Sequence, residues 1–586
     1  MLNQIPLNIQ NPSWYTGGEF GSIVKNKNEI DIRFAFCFPD LYDIGMSHLG
    51  MKILYHLLNE RTNTWCERVF CPNLDMAKYM RDENLPLYGL ESHDPVKNFD
   101  FMGFTIQYEM CYTTILNMLS LAQIPFMASE RNDNFPILIA GGPCVFNPEP
   151  FADFFDIIVI GEGEEVTNKL MDLYISVKKN KKAFLQNAVN IQGVYIPSLQ
   201  NSVKKAIISD LDNVYYPQSL VIPYSNIVHD RIMLEVMRGC VRGCRFCQAG
   251  MIYRPFRQKS PEKLKELAIK LCKTTGYEEI SLLSLSTSDY TQIEELTDDL
   301  LEYCKPNNIS LALPSLRIDN MSEDLLQKLQ AIRKSGLTFA PEAGTQRLRN
   351  VINKNITEEN IMNTCQKAFE NGFTNVKLYF MIGLPTETDE DIIGIATLSQ
   401  KIVDLFYSLP IKKSKGINVS ISLATFIPKP FTPFQWEEQI SVDETIRKQR
   451  LLLNNITSKK INLTWHISKV SVIEGLFARG DRNLSKLLIK AYENGCNLDS
   501  WDEHFKYNEW LKVITECEID LNDYLYRKRD FDEVLPWDFI NCGVSKKFLI
   551  NECKKAYNAQ ITENCSQKCV GCGVSKKFCG SGDYCV

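Results

Sequence analysis

Two long stretches of the chain alternate short apolar runs with helical patterns, and this alternation constrains the fold more than any other feature. Within residues 30–165, short apolar strands are separated by helical segments, a pattern that favours a parallel, doubly wound sheet. Sheets of this kind bind ligands just beyond their strand ends. Gly141 and Gly142 directly follow one of these runs. The predicted strands are 30–39, 99–107, 135–140 and 155–160.

The second alternating stretch covers about 231–470. Repeated strand–helix units over this length predict a full or partial (β/α) barrel, whose active site lies at the carboxyl ends of its strands. The predicted strands are Ile232–Val236, Ile280–Leu285, Ile309–Leu313, Leu337–Ala340, Val376–Ile382 and Ile417–Phe426.

The whole chain is therefore predicted to be an α/β protein of five parts. These are a Rossmann-like domain at 1–180, a connector at 181–229, the barrel at 230–470, a helical extension at 471–560 and a cysteine-rich tail at 561–586. Two short runs near the connector, Val194–Ile196 and Leu220–Ile222, are predicted edge strands.

Composition narrows the class of protein. The N-terminus lacks the features of a signal peptide, and no apolar run reaches the roughly 18 residues that a membrane span requires. A cytoplasmic protein without membrane contact is expected. The net charge of −6 shows no overall basic excess for nucleic-acid binding. Because a cytoplasmic location is expected, the 20 cysteines indicate metal sites or small buried hydrophobes rather than disulfides. The cysteines predicted to be buried are Cys37, Cys111, Cys272 and Cys365.

One cysteine motif follows directly after the predicted strand Ile232–Val236. Cys240, Cys244 and Cys247 have the spacing C-x3-C-x2-C, for which about 0.02 chance matches are expected in a chain of this composition. Closely spaced thiolates are the usual ligands of iron–sulfur clusters. Three thiolates leave one iron of a four-iron cluster open to a further ligand. A zinc knuckle or buried thiols are the alternatives.

With Phe246 immediately before its third cysteine, this motif resembles the signature of the radical S-adenosylmethionine superfamily. The resemblance implies a [4Fe–4S] cluster on the three cysteines, with S-adenosylmethionine bound to the open iron. It also implies reductive cleavage of S-adenosylmethionine to a 5′-deoxyadenosyl radical, with an electron donor such as a flavodoxin or a ferredoxin as partner.

Further segments share this resemblance. The run LTFAPEAGTQR resembles the family's fourth-strand motif, in which Glu342 would reach the ribose hydroxyls of S-adenosylmethionine; a solvated loop carboxylate is the alternative. The run YFMIGLPT resembles the adenine-lining segment, with Gly383, Leu384 and Pro385, although an ordinary strand-to-helix turn would look similar. Where many members carry a glycine-rich pair with glutamate, this chain has SLSTSDY, so Ser286 is only a polar candidate for cofactor binding.

The first domain resembles the cobalamin-binding domain that often precedes a radical barrel, and Gly141 and Gly142 belong to the matching segments. The usual lower-ligand motif is Asp-x-His-x-x-Gly. Here Met46 and Met51 stand in place of its aspartate and glycine, so His48 is not expected to bind cobalt. Some cobalamin-dependent radical enzymes are similar in lacking that histidine. Whether the domain binds cobalamin or another ligand is left open.

The tail repeats the cysteine spacing at Cys565, Cys569 and Cys572, and Cys579 follows. Such a short segment cannot form its own core, so a metal would organise it. Zinc and a second iron–sulfur cluster are equally compatible with four thiols, and redox-active or disordered thiols are the alternative.

Three functions are compatible with these features. The first is radical modification of RNA or a ribosomal protein by methyl or methylthio transfer. The second is a cobalamin-dependent reaction on a small metabolite. The third is a non-catalytic iron–sulfur scaffold or redox sensor.

Overall fold

The computed structural model describes residues 5–6, 8–314, 337–410 and 416–574. Its N-terminal domain is built on a six-stranded sheet of order β2-β1-β3-β4-β5-β6, in which only β6 runs antiparallel to its neighbour. The predicted doubly wound sheet is therefore confirmed. The strands are β1 Ile32–Phe38, β2 Thr64–Phe70, β3 Phe101–Thr105, β4 Ile137–Gly141, β5 Ile157–Val159 and β6 Val194–Tyr195.

Helices connect these strands. Their apolar faces pack on the sheet, whose strands are almost entirely buried. The helices of the N-terminal domain are α1 Tyr42–Met46, α2 Leu49–Glu60, α3 Leu74–Asp82, α4 Tyr112–Leu121, α5 Gly163–Ser176 and α6 Lys181–Ala188.

The second domain is a partial barrel of parallel strands in two sheets, of order β12-β11-β8 and β13-β14-β15-β16. Two small strand pairs accompany it: β9 with β10, and β7 with β17. The strands are β7 Val203–Lys204, β8 Ile232–Glu235, β9 Met237–Arg238, β10 Arg257–Gln258, β11 Glu279–Leu283, β12 Ser310–Ala312, β13 Leu337–Glu342, β14 Asn375–Ile382, β15 Asn418–Thr425, β16 Ile461–Trp465 and β17 Ile540–Asn541.

Helices of the barrel and of the C-terminal extension complete the described fold. They are α7 Ala249–Ile252, α8 Pro261–Thr275, α9 Ile293–Cys304, α10 Gln346–Val351, α11 Glu358–Glu370, α12 Asp389–Ser408, α13 Val442–Asn455, α14 Ser468–Arg479, α15 Leu484–Glu493, α16 Tyr507–Glu516 and α17 Lys546–Tyr557. No described helix has the length and hydropathy that crossing a bilayer demands.

Strand β2 was missed by the sequence pattern because Glu67 and Arg68 stand at its centre. Both side chains are buried and paired. Glu67 binds Arg33 of β1, and Arg68 binds Glu19 at 2.7 Å. Buried charges are tolerated in a strand only when such partners exist, and the partners are distant in sequence.

One predicted strand is absent from the structure, and one barrel strand was not predicted. The segment Leu220–Ile222 forms no strand, and only Ile222 makes an isolated bridge, to Phe20. Strand β16 was not predicted, because four of its five residues remain partly or largely exposed and give no apolar run. The edge strand at Val194 is confirmed, since β6 closes one edge of the N-terminal sheet.

The helical extension packs on the N-terminal domain and shares one apolar core with it. Phe477 of α14 contacts the rings of Tyr112 and Trp510. Asn147 donates hydrogen bonds to the carbonyls of Ala478 and Gly480 at 3.1 and 3.0 Å. The domain and the extension are thus joined although some 330 residues separate them in sequence.

A largely buried ion cluster joins three parts of the chain. Lys429, which follows β15, lies 2.6 Å from Glu109 of the N-terminal domain and 2.9 Å from Glu474 of α14. Tyr108 donates a hydrogen bond to Glu474 at 2.9 Å. Burial alone would lower the pKa of Lys429, but the two carboxylates outweigh it and raise that pKa above its usual range.

Replacing this lysine by methionine should destabilise the protein by about 2–4 kcal/mol, because two carboxylates would lose their common cation in a poorly solvated place. Equilibrium unfolding in urea measures the loss. The variant Lys78→Met is the control: its partner Asp82 is exposed, and a change below about 0.5 kcal/mol is expected. Combining Lys429→Met with Glu109→Gln and Glu474→Gln should recover part of the stability; no recovery would contradict the ionic explanation.

Candidate active site

The first cysteine motif lies on a loop that a small antiparallel pair closes. Strand β9 enters the loop and β10 leaves it, with Arg238 opposite Arg257. At the entry, Gly239 has φ +80°, and a Cβ there would lie 2.5 Å from the Pro255 carbonyl oxygen. Only glycine allows the chain to pass so close to the far side of the loop.

The three thiols of this loop are partly buried and lie near one another. Amide groups surround them: Arg242 donates to the Cys240 sulfur at 3.4 Å, and Gly250 to the Cys247 sulfur at 3.3 Å. Burial raises the pKa of Cys240 to about 12 and that of Cys247 to about 11, and the neighbouring Cys244 adds to both shifts. These thiols would release their protons on binding a metal.

Burial separates the two kinds of cysteine in the described part of the chain. Eleven are fully buried, among them Cys37, Cys111, Cys272 and Cys365, as predicted. Seven are only partly buried, and six of those belong to the two C-x3-C-x2-C motifs; the seventh is Cys517.

Arg245 fixes the loop from inside. Its side chain is fully buried and donates to Glu552 of α17 at 3.0 Å and to the Gln560 carbonyl at 2.7 Å. It also donates to the carbonyls of Asn350 and Val351 at 3.1 and 2.9 Å. The cysteine loop is thereby held against α10 and the C-terminal segment.

Glu342 ends β13 beside the same loop. Its carboxylate pairs with Lys354 at 3.2 Å. Both groups lie close enough to Cys247 to shift the pKa of its thiol, Glu342 upward and Lys354 downward. The Lys354 ammonium also lies 5.9 Å from the centre of the Phe246 ring. The structure therefore brings Glu342 close to the cysteines, held by a partner that the sequence pattern did not reveal.

The segment after β14 forms a tight turn. Gly383 donates its amide to Glu387 at 2.9 Å, and Lys448 pairs with that carboxylate at 2.6 Å. Glu387 thus stabilises the turn, which Pro385 continues. Leu384 is buried in an apolar cluster on which Phe246 of the cysteine loop also packs.

Ser286 lies in the turn after β11 and connects indirectly to the cysteine loop. Its hydroxyl donates to Asp289 at 2.6 Å, and Arg242 donates to the same carboxylate at 2.8 Å. Asp289 and Arg242 were missed at the sequence level because nothing in either segment indicates that they meet.

A cavity of about 500 Å³ lies between the two domains. The carboxyl ends of the N-terminal strands and the first barrel strands face each other across it. Much of its lining is apolar side chain or glycine. The apolar and glycine residues include Leu49, Gly50, Ile53, Gly142, Gly161, Gly163, Met233, Met237, Gly239, Tyr253, Leu283 and Leu285.

Gly142 lines this cavity in a backbone conformation with positive φ, which favours glycine. Its φ is +99°, and a Cβ would lie 2.5 Å from the Ile106 carbonyl oxygen. Gly141 ends β4 and pairs with Thr105, but it does not belong to the cavity lining. Of the two predicted glycines, Gly142 alone faces this space.

His48 also lines the cavity, and it caps α2. Its Nδ1 accepts the Met51 amide at 3.1 Å, and its ring is hydrogen-bonded to the Gln107 side chain. Burial lowers its pKa to about 4, so the imidazole is neutral at physiological pH.

Carboxylates and arginines form one rim of the cavity. Glu235 pairs with Arg238 at 2.8 Å, and Glu162 pairs with Arg257 at 2.7 Å. Glu164 also binds Arg238. Burial would raise the pKa of Glu235, but Arg238 outweighs it and the pKa is lowered.

The tail cysteines Cys565, Cys569 and Cys572 are partly buried, and Cys565 contacts the first cysteine loop at Val241. The predicted fourth ligand, Cys579, lies outside the described residues.

In the described residues, no three thiol, imidazole or carboxylate groups converge tightly enough to hold one metal ion. A cluster makes a different demand, because each thiolate binds its own iron. Three neighbouring thiols, with amide donors to two of them, suit an iron–sulfur cluster.

Comparison with known proteins identifies the family. Residues 50–197 match the family model of radical SAM proteins, N-terminal, and residues 234–398 match that of the radical SAM superfamily. An uncharacterised protein of Methanocaldococcus jannaschii is 33% identical over 461 residues, which span 78% of this chain and 90% of that protein.

More distant relatives share shorter regions. A putative methylthiotransferase of the same organism is 22% identical and aligns over 46% of this chain and 58% of its own length. The anaerobic magnesium-protoporphyrin IX monomethyl ester cyclase of Cereibacter sphaeroides is 25% identical, over 41% of this chain and 40% of that protein.

Among solved structures, the cobalamin-dependent S-adenosylmethionine radical enzyme OxsB with aqua-cobalamin bound has the same fold. Its TM-score is 0.50 at 14% identity, and the match covers 90% of this chain and 79% of that one.

The family models and the M. jannaschii relative place this chain in the radical SAM superfamily, whose members use a [4Fe–4S] cluster and S-adenosylmethionine.

Proposed function

We propose that this radical SAM enzyme transfers a methyl group to a small substrate with the help of cobalamin. The observation that carries the proposal is the cavity between the two domains. The cobalamin-type sheet and the barrel both turn their ligand-binding edges toward it. Gly239, the residue before the first cluster cysteine, forms part of its wall.

Cys240, Cys244 and Cys247 would hold the cluster, which supplies the electron that cleaves S-adenosylmethionine. Glu342 would accept hydrogen bonds from the ribose, since it ends a barrel strand next to Cys247. Lys354 orients that carboxylate. The Gly383 turn would present backbone and the Leu384 region to the adenine. For Ser286 and Gly141, only their positions, after β11 and at the end of β4, support a cofactor role.

The cavity suits a flat, largely apolar macrocycle such as a corrin. Gly142, Gly161 and Gly163 expose backbone to it, while Leu283 and Leu285 direct partly exposed apolar side chains into it. Cobalamin would supply a methyl carrier there. His48 would not serve as the cobalt ligand, because its Nδ1 caps α2 and its ring is already hydrogen-bonded to Gln107.

The electrostatics of the cavity favour a small substrate over RNA. Glu162, Glu164 and Glu235 lie on its lining, and the arginines beside them are already paired with these carboxylates. Phosphate backbones bind where cations are available to them, so this rim would repel a polyanion. A largely apolar cavity between domains is typical of small-molecule sites.

The radical activity is tested first. Protein prepared without oxygen and reconstituted with iron and sulfide should form 5′-deoxyadenosine from S-adenosylmethionine with dithionite. The variant Cys244→Ala should lose this activity, because the cluster lacks one thiolate, whereas Cys517→Ala, outside both motifs, should retain it. Full activity in Cys244→Ala would disprove the cluster assignment, and a well-formed cluster without product would favour the scaffold hypothesis.

Glu342→Gln should weaken binding of S-adenosylmethionine about 10-fold, because a charged hydrogen bond becomes a neutral one. Equilibrium binding to reconstituted protein measures the change, and iron content should stay at the wild-type value. Glu358→Gln removes an exposed carboxylate paired with Lys401 and serves as the control. Equal affinities of the two variants would contradict the ribose role.

Gly163→Leu should abolish cobalamin binding while preserving the fold. Gly163 lines the cavity, and a Cβ there meets only ordinary contacts, the nearest being Leu54 at 3.7 Å. The added side chain would therefore fill the cavity without backbone strain. Binding of hydroxocobalamin is followed by its absorption after gel filtration. Gly416→Leu, far from the lining, is the control; cobalamin bound equally by both variants would exclude this cavity.

A further inference from the structure

The C-terminal cysteine motif packs directly on the first one. Cys565 points both its amide and its sulfur at the carbonyl oxygen of Val241, at 2.9 and 3.0 Å. Val241 lies between the first two cluster cysteines. A few residues earlier, Thr562 donates its amide to Asn353 at 2.8 Å, and Asn353 donates to Gly243 of the same loop at 3.0 Å. The tail thus packs against the loop that carries the first cysteine motif.

A buried arginine lies between the two motifs. Arg254 is 3% exposed, and the acidic groups that act on it most strongly are the thiols of Cys565, Cys572 and Cys240. Its Nε donates to the Gly250 carbonyl at 3.0 Å and its Nη2 to that of Arg242 at 3.3 Å. Its buried Nη1 makes no hydrogen bond to any described residue.

This arrangement leaves a buried charge to be explained. A guanidinium is always protonated, and a buried one is costly unless an anion compensates it. Some buried arginines here, Arg349 and Arg479, donate mainly to backbone carbonyls. Others have carboxylate partners, such as Glu552 for Arg245 and Glu19 for Arg68. Arg254 has none within the described part of the chain. The groups around it that can carry negative charge are thiols, and a thiol is kept ionised when a metal binds it.

The spacing of the tail cysteines supports the same reading. Cys565, Cys569 and Cys572 repeat the C-x3-C-x2-C pattern of the first motif, and all three are partly buried like the first set, whereas the cysteines of the cores are fully buried.

We propose that Cys565, Cys569 and Cys572 bind a metal as thiolates, and that this second metal–thiolate centre shares Arg254 as its cation with the first cluster. The centre goes beyond the proposed function, because it requires neither S-adenosylmethionine cleavage nor cobalamin. Iron with sulfide and zinc share this ligand chemistry. Zinc would in addition require the thiols to draw together, since none of the described ones converge on a single point.

Metal content of two complementary full-length variants tests the centre. One carries Cys→Ala at 240, 244 and 247, and the other at 565, 569 and 572. Each is reconstituted without oxygen, either with iron and sulfide or with zinc alone, then desalted and analysed for iron, sulfide and zinc. We expect the first variant to retain metal and the second to lose that share while retaining the first cluster. Retention of metal after reconstitution with iron and sulfide would identify an iron–sulfur cluster, and retention after reconstitution with zinc alone would identify a zinc site.

A variant lacking all six cysteines gives the background, and Cys517→Ala controls for loss of a partly exposed thiol. Metal in the first variant no higher than this background would overturn the proposal. If that variant does not fold, as judged by circular dichroism, the second variant still decides: metal equal to that of Cys517→Ala would overturn the proposal, and a lower content supports it. S-adenosylmethionine cleavage enters neither readout, so failure of the proposed function would be seen separately.

The role of Arg254 has its own test. In the background that lacks the first three cysteines, the Arg254→Met protein should release metal to a chelator about 10-fold faster than the protein that retains Arg254, because the thiolates lose a neighbouring cation. Arg254→Lys keeps the charge and should largely restore retention. Equal release rates in all three proteins would exclude Arg254 as the compensating cation.

Discussion

The buried guanidinium of Arg245 is the contact on which the geometry of the candidate site depends. The residue stands between Cys244 and Phe246, so any movement of its backbone moves two members of the motif. Its partners are Glu552 and the carbonyls at 350, 351 and 560, all from segments more than 100 residues away. A short, glycine-containing loop has little rigidity of its own. The C-terminal segment therefore acts as structural support for the cluster loop, and the proposed second centre would lie in the same support.

The junction between the two domains is likewise held by buried, paired side chains. Parallel sheets place their ligand-binding loops at the carboxyl ends of the strands, and here two such edges face each other. Paired charges at the rim, Glu162 with Arg257 and Glu164 with Arg238, link the domains. Behind this rim the cavity is lined largely by glycine and apolar side chains. The pairing compensates the buried charges and leaves the cavity suited to an apolar ligand.

The extension and the N-terminal domain form a single core, and the segment after β15 is attached to both of them. Lys429 contacts Glu109 on one domain and Glu474 on the extension, so the segment after β15 is held on both sides. The mutual position of the domains is thus determined at two places, at the rim of the cavity and at this ion cluster. A cofactor held between them would meet a preformed space.

By itself the sequence determined the family, the alternation of strands and helices, and the three cysteines that are proposed as cluster ligands. These features are local: the spacing of Cys240, Cys244 and Cys247, the aromatic Phe246 and the apolar runs all lie within short windows. It also separated motif cysteines from core cysteines, because apolar neighbours predict burial. Strand β2 escaped prediction, since Glu67 and Arg68 are acceptable inside a sheet only through Arg33 and Glu19.

Only the tertiary structure decided which side chains serve the cluster loop. No motif indicates the roles of Lys354, Asp289, Arg245 and Arg254, and the partners of these residues lie up to 315 residues away in sequence. Likewise, the cavity and the contact of Cys565 with Val241 arise from packing of separate domains. Charge compensation and burial are properties of three-dimensional neighbours, so no pattern in a linear window could have revealed them.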